Sequence, residues 1–279
     1  MVKTIVVHID GGAQQESRLQ AAALLANEHE AHLIGSAVTG TTWPSYALLA
    51  GPMGAGMIDA DFQAMRDSAA ARLEAFEETA RALGVVSFES RLIEDDAYFA
   101  LMLQSRYADL VVVSQDGDPG LDLPARLRGL PEHLALHGAR PVLVVPENYC
   151  GRPLTRSMVV GWDGSVQAIR AIGAALPLLR RAASVRLALV NPDEISTVHG
   201  EEPGADMALY LSRHGVNVEV VVERTAGSEG EALLSLARDA EAGLIVAGAY
   251  GHSRYREWAL GGVTRDLLEW SPLPLLLAH

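Results

Sequence analysis

A chain of 279 residues is long enough for one large domain or two small ones, and its 49% hydrophobic and 20% charged residues give an ordinary globular balance. A formal net charge of -13 argues against a nucleic-acid partner and against an anionic membrane surface. Lys3 is the only lysine, so no Gly-Lys pair exists for a Walker-type phosphate loop, and with Cys150 as the only cysteine neither an intrachain disulfide nor a cysteine-rich metal site can form.

The chain opens with Thr4-Ile5-Val6-Val7-His8-Ile9-Asp10-Gly11, a buried-strand pattern ending in an Asp-Gly turn. Its apolar core is too short for a signal peptide, and no segment approaches the ~20 apolar residues of a membrane span. The expected compartment is therefore the cytoplasm. The Gly- and Pro-containing stretch from Gly40 to Gly56 is long for a connection and reads as a functional or mobile loop. Its Gly51, Gly54 and Gly56 follow no strand, so they are not a dinucleotide fingerprint. A helical run from Ala64 to Leu83 comes next, then the strand patterns Leu110-Val111-Val112-Val113-Ser114 and Arg140-Pro141-Val142-Leu143-Val144-Val145. His133 and His137 have the spacing of metal ligands on a helix, but without a His-Glu-x-x-His arrangement a surface pair is the expected reading. Pro146, Gly151 and Pro153 then break the pattern and divide a unit of residues 1–148 from one of residues 155–279.

The second unit repeats the grammar of the first. Ser157-Met158-Val159-Val160-Gly161-Trp162-Asp163-Gly164 echoes the opening strand, with Asp10 and Asp163 153 residues apart. Leu244-Ile245-Val246-Ala247-Gly248 matches Leu110–Ser114 at an offset of 134, and Leu273–Ala278 matches Arg140–Val145 at 133. The shrinking offset places an insertion in the first unit, mostly between Gly40 and Gly56. Val166, Ile169, Ile172, Leu176 and Leu179 make one helical stripe, which Pro177 should kink or shorten, and Ala232, Leu233, Leu236, Ala237 and Ala240 make another. With strands near 158–162, 184–190, 216–222, 244–248 and 273–278, each unit alternates strand and helix. That alternation demands a parallel sheet with right-handed crossovers. The expected fold is α/β: two tandem doubly wound, Rossmann-like domains, each a five-stranded parallel sheet with helices on both faces. Leu275-Leu276-Leu277 and Leu143-Val144-Val145 can pair edge to edge and make an internal pseudo-dimer.

In such sheets ligands sit beyond the carboxyl ends of the strands, at the switch point. In the second unit the relevant strands end at Asp163 and Gly248. Gly248-Ala249-Tyr250-Gly251 is followed, nine residues later, by Gly261-Gly262-Val263-Thr264 and a helical pattern. Glycines allow close backbone approach, and free N–H groups opening a helix make an anion site. Thr264 can add a hydroxyl, and Arg254, Arg256 and Arg265 can add charge. In the first unit Ser114 stands for Gly248, Gly117 for Gly251, Arg128 for Gly261 and Gly129 for Gly262, while Asp116, Asp118 and Asp122 would repel phosphate. No nucleotide site is expected there. His252-Ser253 lacks the closing glycine of a nucleophile elbow, so no catalytic residue is expected.

The Gly-x2-Gly-x9-Gly spacing of Gly248, Gly251 and Gly261, followed by a small residue, resembles the ATP-binding signature of the universal stress protein family. The resemblance implies ATP or another adenine nucleotide as ligand; Mg²⁺ enters with the alternative of slow ATP hydrolysis, held mainly by the phosphates plus one carboxylate. The resemblance also implies Asp163 beside the adenosine and Val190 at the adenine edge. Gly248, Gly251, Gly261, Gly262, Val263 and Thr264 would wrap the ribose and phosphates. The chain departs from the pattern at Gly262, where ATP-binding members carry Ser or Thr; a lost hydroxyl contact costs ~1 kcal/mol. The function implied is that of a stress-response sensor or regulator. A slow ATPase or phosphotransferase and a scaffold without nucleotide remain alternatives, and the protein partner and any homodimer of the whole chain stay open.

Overall fold

In the computed structural model, which describes residues 1–50, 55–116, 129–192, 202–251 and 262–279, the β-branched runs form ten strands of one sheet. The first half contributes β1 (Thr4–His8), β2 (His32–Val38), β3 (Phe88–Ile93), β4 (Leu110–Ser114) and β5 (Val142–Val145). The second contributes β6 (Ser157–Gly161), β7 (Ser184–Val190), β8 (Val218–Glu223), β9 (Leu244–Gly248) and β10 (Leu275–Ala278). Their spatial order is β3-β2-β1-β4-β5-β10-β9-β6-β7-β8. Within each half every ladder is parallel, and the order reverses between β1 and β4 and again between β6 and β9. These are the two switch points. Where the halves meet, β5 and β10 run antiparallel, with Leu275 opposite Val144, Leu276 opposite Leu143 and Leu277 opposite Val142.

The helices are α1 (Gln15–His29), α2 (Trp43–Ala50), α3 (Ala55–Ala82), α4 (Ala97–Ser105), α5 (Leu130–His137), α6 (Val166–Leu179), α7 (Ala205–Arg213), α8 (Glu229–Asp239) and α9 (Gly262–Trp270). Strand side chains alternate between two cores, as the period of two requires. Ile5, Val7, Met158 and Val160 face the layer of α1, α3, α6 and α7. Val6, Val159 and Ile245 face the layer of α4, α5, α8 and α9. Strands covered on both faces explain why the sequence shows unbroken apolar runs rather than alternation.

Two expectations change. The Gly40–Gly56 stretch is not one loop, because Trp43–Ala50 is helical and α3 begins at Ala55. The Thr42 hydroxyl accepts the Ser45 N–H, and Pro44 sits in the first turn, where its missing N–H costs nothing. Residues 51–54, which include Gly51 and Gly54, lie outside the described residues. Nor does Pro177 shorten α6, which continues to Leu179. So close to the helix end, the ring removes only the bond to the Gly173 carbonyl.

Candidate functional site

At the switch point of the second half, the turn after β6 is ordered by its own side chains. The Asp163 carboxylate accepts the Ser165 N–H at 2.9 Å. Ser165, the N-cap of α6, accepts the Ala168 N–H at 3.1 Å. Beside this turn runs the loop that leaves β9. A Cβ on Gly251 would lie 2.7 Å from Ser165 Oγ and 3.2 Å from Asp163 Oδ2. Glycine here lets the loop press onto the Asp163 turn, so two segments far apart in sequence share one wall.

Gly248 has a different reason to be glycine. A Cβ there would meet the backbone nitrogen of Ala168 at 2.5 Å, so the first turn of α6 excludes any side chain. Close packing accounts for this position without a ligand. Tyr250 adopts a left-handed conformation, with φ of 58°. Its N–H donates to Thr264 Oγ1 at 3.1 Å. Thr264 is 4% exposed, so its hydroxyl ties the loop to the first turn of α9. Gly262 is the first described residue of that helix, and no described atom lies within 4 Å of a would-be Cβ. Val263 packs partly buried against the core.

Val190 ends β7 opposite Glu223, further along the same sheet edge. The following Asn191, with φ of 47°, grips Thr225 by accepting its N–H at 2.9 Å and donating to its carbonyl at 3.0 Å. Arg265 is exposed and lies 3.7 Å from Glu269. Gly261, Arg254, Arg256, His252 and Ser253 lie outside the described residues. The structure thus brings Asp163, Gly248, Gly251 and Thr264 together and adds Ser165 and Tyr250, which the glycine spacing did not mark. Ser165 was legible, since Asp-x-Ser after a strand is an Asx-turn leading into an N-cap.

The equivalent place in the first half is already filled. The buried residues of α6 are all apolar, whereas α1 buries an arginine, Arg18. Its guanidinium is 1% exposed and donates to Asp10 Oδ1 at 2.7 Å and to Ser114 Oγ at 2.7 Å. Burial works to raise the Asp10 carboxyl, but the Arg18 charge, the neighbouring His8 and hydrogen bonds from Arg18 and the Gly12 N–H outweigh it and hold the group at about 2. His8 lies 3.8 Å from Asp10, yet burial first and the Arg18 charge second push its imidazole down to about 4. His8 is therefore neutral at pH 7, and Arg18 makes the ion pair with Asp10, with the Arg72 charge also nearby.

His8, Asp10, Gln14, Arg18, Ser114, Gln115, Asp116, Leu130 and Pro131 line the small opening left beside this ion pair. Burial raises Asp116 above its ordinary range against the pull of the Gly129 N–H that it accepts at 2.8 Å. Gly117, Asp118, Asp122 and Arg128 lie outside the described residues. His133 and His137 stack with centroids 4.7 Å apart, and Tyr98 meets His133 edge-on at 4.8 Å. Among the described residues no group of three or more His, Cys, Asp or Glu is placed to hold a metal ion. No described helix is long and apolar enough to cross a membrane.

The two switch points touch across the β5–β10 seam. Gln115, just past β4, donates to the Leu268 carbonyl of α9 at 2.7 Å. In return, the Tyr250 hydroxyl donates to Glu132 Oε1 of α5 at 2.8 Å. Burial and this carboxylate push the Tyr250 phenol well above its ordinary range, so it remains a donor.

Residues 155–279 match the family model described as the universal stress protein family. No curated protein matches the chain. Among solved structures, a universal stress protein from Archaeoglobus fulgidus is similar over 99% of this chain and 95% of its own, at 15% identity and a TM-score of 0.70. A putative universal stress protein from Pseudomonas aeruginosa is similar over 99% and 93%, at 16% identity and a TM-score of 0.63. A functionally unknown protein from Pseudomonas aeruginosa PAO1 is similar over 99% and 92%, at 15% identity and a TM-score of 0.62. At such identities the likeness shows the fold: a tandem α/β architecture along the whole chain.

Proposed function

We propose, on the premise that residues 155–279 belong to the universal stress protein family, that the second half binds ATP or another adenine nucleotide at the β6–β9 switch point and that the protein acts as a nucleotide-dependent sensor or regulator. One observation carries the reading. Gly251 packs against Asp163 and Ser165 while the same loop is tied by Tyr250 to the first turn of α9, where a Cβ on Gly262 would have no described atom within 4 Å. A carboxylate that can accept ribose hydroxyls thus lies beside a helix start whose N–H groups suit phosphate. Val190 and the bracketed Asn191–Thr225 turn lie along the same edge, where the base would extend. Mg²⁺ would neutralise phosphate charge and be held mainly by the phosphates themselves. The first half takes no nucleotide by this route, because Arg18 fills its site and Asp116 adds negative charge.

The test is calorimetric titration of ATP, with and without Mg²⁺, into the full chain and into Gly251→Asp. That substitution sets a second carboxylate against Asp163 Oδ2, 3.2 Å from where the new Cβ would stand. Micromolar binding at one ATP per chain, lost in a Gly251→Asp protein with an unchanged circular dichroism spectrum, is the expected result. No heat and no thermal stabilisation at millimolar ATP would overturn it in favour of a scaffold.

A further inference from the structure

The first half has given up its own nucleotide site yet remains bonded to the working loop of the second. We propose that Glu132, in the first half, is a positioning residue for the nucleotide site of the second half, acting through the Tyr250 hydroxyl; this rests on the nucleotide reading above. Tyr250 lies between Gly248 and Gly251 and is held at three points. Its N–H reaches Thr264, its left-handed backbone sets the direction of the turn, and its phenol spans the seam to Glu132 at 2.8 Å. A left-handed conformation costs a non-glycine residue about 1–2 kcal/mol and persists only where the surroundings hold it. Thr264 belongs to the same half, so Glu132 is the hold supplied from outside the domain.

Glu132 is itself well placed to act as a fixed point. It lies in the first turn of α5, where a carboxylate is favoured by the helix dipole. The start of that helix is anchored by Asp116, which accepts the N–H of its N-cap Gly129 at 2.8 Å. The strand that follows α5, β5, pairs directly with β10. The Tyr250 side chain thus ties the loop that leaves β9 to α5 of the first half, beside the Gln115–Leu268 bond and the β5–β10 ladder. Without the Tyr250–Glu132 bond, the left-handed turn at Tyr250 loses its tie to the first half, and ATP binding must hold the Tyr250–Gly251 segment against the Asp163 turn.

The test measures the ATP Kd of the full chain for wild type, Tyr250→Phe, Glu132→Ala, Glu132→Gln and the double variant Tyr250→Phe/Glu132→Ala, with thermal unfolding and amide hydrogen exchange on each. Tyr250→Phe and Glu132→Ala should each raise Kd about tenfold, equivalent to about 1.4 kcal/mol. The double variant should match either single one, because both remove the same bond. Glu132→Gln should stay within about twofold of wild type, because the carboxamide oxygen still accepts the phenol proton. A merely structural role predicts loss of stability in Glu132→Ala with Kd unchanged. That result, or penalties that multiply in the double variant, would overturn the proposal. Should wild type bind no ATP, the nucleotide reading fails by itself. The positioning role then stands on faster exchange of the residue 249–251 amides in both single variants and falls if exchange is unchanged.

Discussion

Replacing Arg18 by Met tests whether the first half is closed by its own side chain. The substitution keeps the length and apolar stem but removes a guanidinium that is 1% exposed and bonded to Asp10 and Ser114 at 2.7 Å each. Holding Asp10 at about 2 rather than 3.8 corresponds to about 2 kcal/mol of stability at pH 7. A broken buried pair ordinarily costs about 3–5 kcal/mol, and the 24% exposure of the Asp10 side chain places the expected loss at the lower end, about 2–3 kcal/mol. The sign is fixed by the direction of the shift. A depressed carboxyl contributes fully above its unfolded value, and the contribution disappears as pH falls from about 4 toward 2. Urea unfolding at pH 7 measures the loss, and proton NMR of the His8 ring supplies an independent readout, since the Arg18 charge is one of the causes that lower His8. His8 should titrate at higher pH in Arg18→Met. A loss below about 1 kcal/mol with an unmoved His8 titration would show that the guanidinium is not the counter-charge of Asp10.

Gly248→Ala and Gly262→Ala should separate packing from access. The first drives a methyl to 2.5 Å from the Ala168 nitrogen and should cost about 1–3 kcal/mol by overpacking, while the second enters open space at a helix start and should change stability by less than about 0.5 kcal/mol. Equal urea midpoints for the two would contradict the approach of α6 to β9. Acid should weaken the fold through His8, which stays neutral when folded down to about 4 but protonates near 6.5 when unfolded. Its contribution is complete above about pH 6.5 and should fall by roughly 3 kcal/mol by pH 4. A urea midpoint that is flat across that window in wild type, or as steep in His8→Gln, would rule out His8 as the titrating group.

The parts of the fold that were legible are those written in local pattern. Unbroken runs such as Leu110–Val113 and Leu244–Ala247 announce strands covered on both faces, and the repeat of Asp-Gly after the first strand of each half reveals the duplication. The Leu275–Leu277 pairing with Val142–Val144 was accessible because both segments are short, apolar and unclaimed on one side. Helix α2 was hidden for a local reason, as Gly and Pro dominate the impression of Gly40–Gly56 while Thr42 and Pro44 in fact start a helix. At the site, glycine spacing located the loop but not the reasons for each glycine. Gly248 answers to the backbone of α6 and Gly251 to Ser165, and both depend on contacts between segments about 80 residues apart, which no local pattern carries. The Tyr250–Glu132 bond, with a separation of 118 residues, had no sequence signal at all.

The divergence of the two halves follows from a few exchanges on a common frame. Where α6 buries only apolar side chains, α1 buries Arg18; where β9 ends in Gly248, β4 ends in Ser114. Arg18 brings its own cation to Asp10 and Ser114 supplies a further acceptor, so a buried guanidinium stands beside the strand-end aspartate of the first half. Asp163 orders the turn to Ser165 and faces a glycine loop. The strand-end aspartate thus holds a buried arginine in one half and shapes a turn beside the glycine loop in the other. The first half also braces the second. The β5–β10 ladder, the Gln115–Leu268 bond and the Tyr250–Glu132 bond all deliver that support to the β9–α9 loop rather than to the distant edge strands β3 and β8.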